Sequence, residues 1–333
     1  MTVELINRMN PDEASCVALI ENIEEALGHP LHEVVRKHLF GSDTGGSMAF
    51  PRFEAHFDSY LFGELFLPTS STDGMDEFCD LTFVATFGNV WSVLRCPDRD
   101  APSVVRFEAR LANIGESLAD YWSSGEILGR IFTVAVNSLE EFLDETGARV
   151  QVLLDEVERI EKLKHLSRAL QDEIPELRAE SGHLRLEVES LTAVIQQLEV
   201  ITGEIVADRL DLHRSEADGT MAQLFERSTE IHLADTHFRV RRLEMVRNEQ
   251  VRRLEHVDDI IRQLRDADEV TTGRFMGAIA SIMLFPTFIA GLYGMNFDKM
   301  PEIHWPFGYG MAVVLIVAST LSQVWFFRRR RWI

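Results

Sequence analysis

Two long uncharged segments near the end of the chain constrain its fold more than any other feature of the sequence. Residues 275–295 and residues 307–327 each give 21 residues without a charged side chain. An α-helix rises about 1.5 Å per residue, so either segment can cross the roughly 30 Å hydrocarbon core of a bilayer. The sequence therefore predicts a membrane hairpin: a first transmembrane helix over 275–295, an external loop over 296–306 and a second transmembrane helix over 307–327.

The distribution of charge separates this hairpin from the rest of the chain. The 333 residues carry a formal net charge of −21, but residues 274–333 carry +4, which leaves −25 for residues 1–273. A portion this acidic repels phosphate backbones, which excludes nucleic acid as a partner. Two interpretations remain for the acids: they keep the protein soluble, or they attract cations.

Flanking residues predict how the hairpin is oriented. A basic tail over 328–333 begins with four arginines, and the positive-inside rule places such a tail in the cytoplasm. The first 15 residues lack the apolar segment of a cleavable signal peptide. We therefore expect a multi-pass protein of the inner or plasma membrane with both termini in the cytoplasm. The cysteines Cys16, Cys79 and Cys96 are odd in number and form no CxxC motif, so we expect three unpaired, buried side chains.

Residues 1–123 have the pattern of an α/β domain. A helix is predicted after the capping-type residue Asp12. Its predicted buried face consists of the apolar residues at helical spacing, Val17, Ile20, Ile23 and Leu27. The aromatic-rich segment 50–68 predicts two strands. Segment 80–96 predicts a β-hairpin with Gly88-Asn89 as its two-residue turn.

Long helices follow. Residues 124–218 predict a pair of long acidic helices, with interruptions near Pro175 and at Asp218-Gly219. A third helix is predicted to start near Thr220, with residues 219–274 as a stalk that leads into the membrane. Alternating three- and four-residue steps connect four apolar residues of this stalk, Leu254, Val257, Ile261 and Leu264. This seam predicts packing against copies of the same helix, and the alternative is packing within its own domain.

The residues between the two apolar segments carry the most specific motif. Gly294-Met295-Asn296 ends the first segment, Met300-Pro301-Glu302 follows in the loop, and an arginine-rich tail closes the sequence. In these features the chain resembles the CorA family of divalent-cation transporters. The resemblance implies a homopentameric funnel, influx of Mg²⁺ with Co²⁺ or Ni²⁺ as further cargo, and no enzymatic activity. It also implies regulation by cytoplasmic Mg²⁺ bound to acids of the stalk, for which Asp259 and its neighbour Asp258 are the candidates.

Elementary chemistry is consistent with this resemblance. Two spans cannot enclose a water-filled path, so conduction requires a ring of chains. Mg²⁺ loses its water reluctantly, and a ring of neutral Asn296 oxygens can hold the hydrated ion without binding it too tightly. We therefore predict a selectivity filter at Gly294, Met295 and Asn296. The other candidates are Asp298 and Glu302 in the loop, and the pore-lining or gating residues Gly291, Thr287, Leu284, Ser281 and Met276.

The motif and the function of the chain each have alternative interpretations. Gly-Met-Asn is also compatible with a simple helix C-cap. A ZntB-like, proton-coupled zinc transporter is the nearest alternative function, and a membrane-tethered coiled-coil scaffold that conducts nothing is the alternative of another class. The closely spaced histidines His29, His32 and His38 lack an evident fourth zinc ligand, so we expect surface histidines. No catalytic constellation is evident.

Overall fold

The computed structural model describes ten ranges of the chain: 4–40, 52–56, 59–69, 77–98, 100–116, 122–162, 168–207, 209–215, 221–295 and 307–330. The chain divides into two compact units. The first unit comprises Met1–Glu156 and Pro175–Val257, and the second comprises Val157–Ile174 and Asp258–Ile333. The predicted loops at 41–47 and 70–74 lie outside the described residues.

A five-stranded sheet forms the centre of the first unit. Its strands are β1 (Glu4–Met9), β2 (Arg52–His56), β3 (Tyr60–Thr69), β4 (Glu77–Ala85) and β5 (Asn89–Arg95). Their order across the sheet is β1-β5-β4-β3-β2. Only the β1–β5 pair is parallel, and the other three pairs are antiparallel. The strands predicted in 50–68 and the predicted hairpin are therefore confirmed.

Two short helices cover one face of this sheet. They are α1 (Glu13–Leu27) and α2 (Glu33–Phe40), and they share a core with Phe62, Val84 and Trp91 of the strands. The predicted cap is confirmed, because the Asp12 carboxylate accepts a hydrogen bond from the Ser15 amide at 2.9 Å. The predicted buried face is partly wrong: Val17 is 40% exposed, since the covered stripe is Cys16, Leu19, Ile20 and Ile23.

Longer helices pack on the opposite face. They are α3 (Pro102–Glu116), α4 (Ser124–Lys162), α5 (Arg168–Val206) and α6 (Arg227–Tyr293), of which α6 contributes to the first unit as far as Val257. A small hairpin of β6 (His213–Ser215) and β7 (Met221–Gln223) precedes α6. The main core on this side joins aromatic residues of the sheet to α4, and the rings of Phe83 and Phe132 meet edge to face at 6.2 Å.

Two helix boundaries differ from the sequence prediction. Pro175 does not interrupt a helix. It is the eighth residue of α5, which continues through it to Val206, and its missing amide removes one intrahelical hydrogen bond. The third helix starts at Arg227 and not near Thr220, because Met221–Gln223 pairs with His213–Ser215 as a strand. Backbone pairing in a sheet takes precedence over helix propensity there.

The apolar seam of α6 is buried within a single chain. Leu254 and Val257 are fully buried in the first unit, and Ile261 and Leu264 are 4% and 8% exposed in the second. The prediction that these four residues pack against copies of the helix is therefore wrong, and the alternative of packing within the chain is right.

The β4–β5 hairpin corrects the prediction for the cysteines. Ala85 pairs with Val90, so the two-residue loop is Phe87-Gly88, one residue earlier than predicted. The same register pairs Asp80 with Arg95 and brings Cys79 opposite Cys96, where the two form a disulfide with their Cα atoms 4.4 Å apart. Our expectation of three unpaired cysteines is therefore wrong for two of them, while Cys16 is free and buried.

The second unit contains the two apolar helices. These are the C-terminal part of α6 and α7 (Gly308–Arg329), and both are long and apolar enough to cross a membrane. Large apolar side chains on them are exposed in the single chain, and Leu284, at 71%, is an example. Such exposure fits an environment of lipid or of further protein chains rather than water.

Candidate ion pathway at the membrane hairpin

One face of α6 is covered in the membrane-spanning region. Ala278 and Ile289 are buried, and Ile282, Pro286 and Tyr293 are half-buried. These five positions recur every three or four residues, so they form one stripe along the helix. On α7 a matching stripe contains the buried Gly308, Ala312 and Phe327.

Most of the predicted pore-lining residues lie on the opposite face of α6. Met276, Leu284, Thr287 and Gly291 are all exposed. At about 100° per residue these four positions fall within one quarter of the helix circumference, and the centre of that sector is roughly opposite the covered stripe. The structure brings them together on a single surface. Ser281 is half-buried and lies between the two faces, so it does not belong to this surface.

The hydroxyl oxygen of Thr287 can accept a hydrogen bond on the exposed face of α6. Its hydroxyl donates to the backbone carbonyl of Met283 at 2.7 Å. A hydroxyl has one hydrogen and two lone pairs, so the oxygen remains an acceptor toward the exposed side of the helix. Such an oxygen can accept a hydrogen bond from water that hydrates a cation.

Glycine at position 291 is not required by the packing of one chain. A Cβ atom added at Gly291 would meet no other atom within 4 Å. At Gly294 an added Cβ would lie 3.1 Å from the carbonyl oxygen of Ala290, so that position is tighter. Among the described residues of the chain, nothing therefore requires a glycine at position 291.

The Gly-Met-Asn motif begins where α6 ends. The Gly294 amide donates to Ala290 at 2.9 Å, which continues the helical hydrogen bonding by one residue, and Met295 is exposed. Gly294 does not adopt the left-handed backbone that a glycine C-cap requires, since among the described glycines only Gly28 has that conformation. Asn296, Asp298 and Glu302 lie outside the described residues.

The candidate regulatory acids lie at the start of the second unit. Asp259 is exposed and forms an ion pair with Arg262 at 3.4 Å, one helical turn further on. Asp258, the preceding residue, also takes part in a side-chain or electrostatic interaction. Within the described part of one chain, no three His, Cys, Asp or Glu side chains converge in a way that could hold a metal ion.

The histidines that we considered for zinc have other partners. The Nδ1 atom of His38 lies 3.1 Å from a carboxylate oxygen of the buried Glu64, so His38 is not a surface histidine. His32 stacks against His56 at 5.5 Å between ring centroids, and His29 Nδ1 contacts the carbonyl oxygen of Pro30 at 3.1 Å. Of these contacts, the one between His38 and Glu64 joins α2 to strand β3.

Sequence reasoning missed a buried titratable cluster on the sheet. Asp80 and Glu64 point to the same face, where Arg95 Nη1 approaches the Asp80 carboxylate at 3.6 Å and Thr82 donates to it at 3.1 Å. Burial, with a smaller contribution from Glu64, raises the pKa of Asp80 to about 7. A charged residue at an inward position of an alternating strand was the signal that could have revealed this cluster.

Comparison with known proteins identifies the family. The chain matches the family described as CorA-like Mg²⁺ transporter protein over residues 39–329, which is most of its length. The chain therefore belongs to the CorA-like family, as the resemblance of its membrane segment predicted.

Individual relatives support this membership to different extents. A Wolinella succinogenes protein named magnesium transport protein CorA is 48% identical over 48 residues, which is 14% of this chain and only 15% of that relative. A Bacillus subtilis protein named putative metal ion transporter YfjQ is 25% identical over 291 residues, covering 83% of this chain and 77% of the relative.

Among solved structures, the complete CorA magnesium transporter of Methanocaldococcus jannaschii superposes with a TM-score of 0.66. The match covers 99% of this chain and 91% of that one at 18% identity. At this identity the similarity establishes the fold.

Proposed function

We propose that this protein is a divalent-cation channel or transporter that admits Mg²⁺ across the inner or plasma membrane, with Co²⁺ and Ni²⁺ as further cargo. The observation that supports this most is the exposed stripe of α6. Thr287 and Gly291 lie on this stripe, which leads along the helix toward Gly294 and Met295. The next residue is Asn296, which would complete a filter at the end of the stripe.

A ring of chains is needed to form the pathway, and we propose a homopentamer. Two helices per chain leave no room for water between them, whereas several copies of α6 can surround an axis. In such a ring the covered stripe of α6 would face α7, and the stripe with Leu284 and Thr287 would face the axis. Domain boundaries at residues 123, 218 and 274, with spans at 275–295 and 307–327, remain part of this proposal.

Selection and driving force follow from the chemistry of Mg²⁺. Five Asn296 side-chain oxygens would accept hydrogen bonds from the hydration shell, so the ion would keep its water. Asp298 and Glu302 would raise the local concentration of cations before entry. A membrane potential supplies about 4.6 kcal/mol for a divalent ion per 100 mV, which drives influx without a coupled reaction.

We further propose that cytoplasmic Mg²⁺ closes the pathway by bridging acids of neighbouring chains. Asp259 is available for this because its ion-pair partner among the described residues, Arg262, is itself exposed and the ion pair is long at 3.4 Å. Replacing that weak surface pair with a divalent bridge would neutralise repulsion between acidic chains.

Flux through proteoliposomes tests the proposed function against its alternatives. We expect Mg²⁺ uptake that increases with an inside-negative potential and does not need a proton gradient. Zinc uptake that requires a proton gradient would instead establish the ZntB-like alternative. If inserted and folded protein conducts no divalent ion, the remaining interpretation is the membrane-tethered scaffold that conducts nothing.

Orientation can be tested separately by cysteine labelling. A cysteine introduced at position 299 should react with a membrane-impermeant reagent from outside, because we place the loop 296–306 there. A cysteine near residue 70 should not react from that side. Labelling of the second site from outside would contradict the proposed topology.

A further inference from the structure

A cavity of about 280 Å³ lies between α3 and α4 in the first unit. Its polar lining consists of Arg110 and Asn113 from α3 and Arg130 and Asn137 from α4, and Trp122 contributes an aromatic wall. Among the described residues that line it none is acidic, although acids outnumber bases 54 to 33 in the whole chain. The proposed ion pathway makes no use of this cavity.

Arg130 provides an oriented positive charge in the cavity. Its guanidinium lies over the ring of Trp122, with 3.9 Å between the guanidinium carbon and the ring centroid. Stacking of this kind restricts the side chain and leaves its N–H donors at the edge of the plane. Among the described residues no carboxylate forms an ion pair with Arg130, including Glu126, which borders the adjacent cavity. Its charge is therefore available to a ligand.

Arg110 contributes a donor that lacks an acceptor. Its Nη2 atom donates to a carboxylate oxygen of Glu141, and this contact holds the side chain in place. Its Nη1 atom is buried and has no hydrogen-bond partner among the described residues. A buried N–H without an acceptor is costly, and a ligand oxygen brought close by a small side-chain movement would remove that cost.

Asn137 is fixed as a donor by its neighbours. Arg239 donates from Nη2 to the Asn137 carboxamide oxygen and is held in turn by both oxygens of Glu140, at 3.2 and 2.6 Å. With its oxygen occupied in this way, the carboxamide has its NH₂ group left for a ligand. Arginines on both helices and this amide therefore surround the cavity with hydrogen-bond donors.

We propose that this cavity binds a small phosphorylated organic molecule. Phosphoryl oxygens only accept hydrogen bonds and carry negative charge, so they match the guanidinium and amide donors of the described lining. Trp122 and the two apolar side chains of the lining, Ile114 and Val134, offer contact for an organic body such as a nucleoside. This inference is independent of ion transport.

Isothermal titration of the full-length protein in detergent micelles tests the proposal. The probes are ATP and inorganic phosphate, in excess EDTA so that divalent ions take no part, and at constant ionic strength. We expect saturable binding of one ATP per chain. Arg130→Gln should weaken it at least about tenfold, which corresponds to roughly 1.4 kcal/mol, and Arg130→Lys should retain part of the affinity.

A matched control separates this site from general electrostatics. Arg252 is exposed, and its ion-pair partner among the described residues is Glu249 on its own helix at 2.7 Å. Arg252→Gln therefore removes the same charge away from the cavity. We expect that variant to bind ATP within about twofold of the parent protein. We expect phosphate to bind more weakly than ATP and Trp122→Phe to reduce the affinity for ATP. These two results would attribute the difference in affinity between ATP and phosphate to the aromatic wall.

Two results would overturn the proposal. One is the absence of saturable binding of both ATP and phosphate to the parent protein. The other is an equal loss of affinity in the Arg130→Gln and Arg252→Gln variants, which would show a diffuse charge effect. Melting temperatures of all variants, measured in the same buffer, establish that the proteins compared are folded. Since no transport is measured, failure here leaves the proposed ion pathway untouched.

Discussion

The two units of the chain use similar apolar side chains in opposite ways. In the first unit Phe83 and Trp91 are at most 1% exposed, because a sheet and its helices enclose them. In the second unit Phe288 and Val314 are 64% and 65% exposed. The hydrophobic effect stabilises only surface that is removed from water. The first unit therefore contains its own source of stability, whereas the second needs lipid or other chains.

Because of this difference, substitutions in the two units should affect different properties of the protein: its stability in the first unit and its function in the second. In the core of the first unit a substitution changes the stability of the folded chain, because side chains there are enclosed on all sides. On the exposed stripe of α6 the same substitution alters few contacts within the chain. It alters contacts with the surroundings of the chain, which are lipid, ions or other chains. The experiments below compare the two situations, starting with the largest expected effect.

The largest effect is expected from a matched pair of phenylalanines. Phe83 is fully buried, with its ring centroid 5.7 Å from that of Phe53, so Phe83→Ala should lower the free energy of unfolding by about 3–5 kcal/mol. Phe288→Ala should leave the thermal melt of the first unit unchanged. Near-ultraviolet circular dichroism of the full chain in detergent follows that melt. Equal destabilisation by both substitutions would contradict the division into two environments.

The pH dependence of stability provides the next test, through Asp80. A carboxyl group whose pKa rises to about 7 in the folded chain binds its proton more tightly there, so the folded state loses stability as pH increases from about 4 to 7. Asp80→Asn should remove this loss, which is on the order of 4 kcal/mol at pH 8. We expect the melting temperature to increase more at pH 8 than at pH 5. An equal change in melting temperature at pH 5 and pH 8 would mean that Asp80 is already ionised in the folded chain at pH 5 and is stabilised by Arg95.

A somewhat smaller effect is expected from the disulfide of the β4–β5 hairpin. Cys79 and Cys96 are separated by 17 positions, and closing a loop of that size stabilises a fold by about 3 kcal/mol in the chain-entropy description. Cys96→Ser should therefore lower the melting temperature of non-reduced protein, while Cys16→Ser serves as the control without a crosslink. Titration of thiols after unfolding should find one per parent chain before reduction. Three thiols at that stage would show that the pair is not oxidised.

Sequence patterns predicted the strands, the β4–β5 hairpin and the two apolar helices because each depends on local periodicity. The disulfide was missed for a related reason. A turn centred on Gly88-Asn89 would place Asp98 opposite Cys79, and a shift of one residue to Phe87-Gly88 brings Cys96 there instead. Thr86 sets the actual turn, since its hydroxyl accepts hydrogen bonds from the amides of Gly88 and Asn89 at 3.3 and 3.1 Å.

Other errors came from interactions between distant parts of the chain. The seam from Leu254 to Leu264 has the spacing of a helix that packs on another helix, and spacing alone does not say whether that partner belongs to the same chain. The raised pKa of Asp80 depends on burial under α2 and on Glu64, which lies 16 positions away in sequence. For the candidate ion pathway, the sequence predicted four residues that share a face of α6. Ser281 was included because its place on the helix was judged by approximate spacing.

The smallest effect on stability is expected at Gly291, where function should nevertheless respond. Gly291→Ala places a methyl group in open space within one chain, so the melting temperature should not change. Gly63→Ala is the contrasting control, because its Cβ would lie 2.1 Å from the ring of Phe83 and the sheet must shift. If Gly291 faces the axis of a ring, its alanine variant should reduce Mg²⁺ flux. Unchanged flux would remove Gly291 from the pathway.

The most direct test of the proposed pathway is Mg²⁺ flux through Asn296→Ala in proteoliposomes, measured beside native mass of the assembly. The substitution removes a hydrogen-bond acceptor from each chain and leaves α6 and α7 intact, so we predict that pentamers persist while flux collapses. Asn296→Asp, which adds a negative charge per chain, should instead hold the ion too tightly and slow its release. Parent-level Mg²⁺ flux through pentameric Asn296→Ala would contradict the role of this residue as the filter.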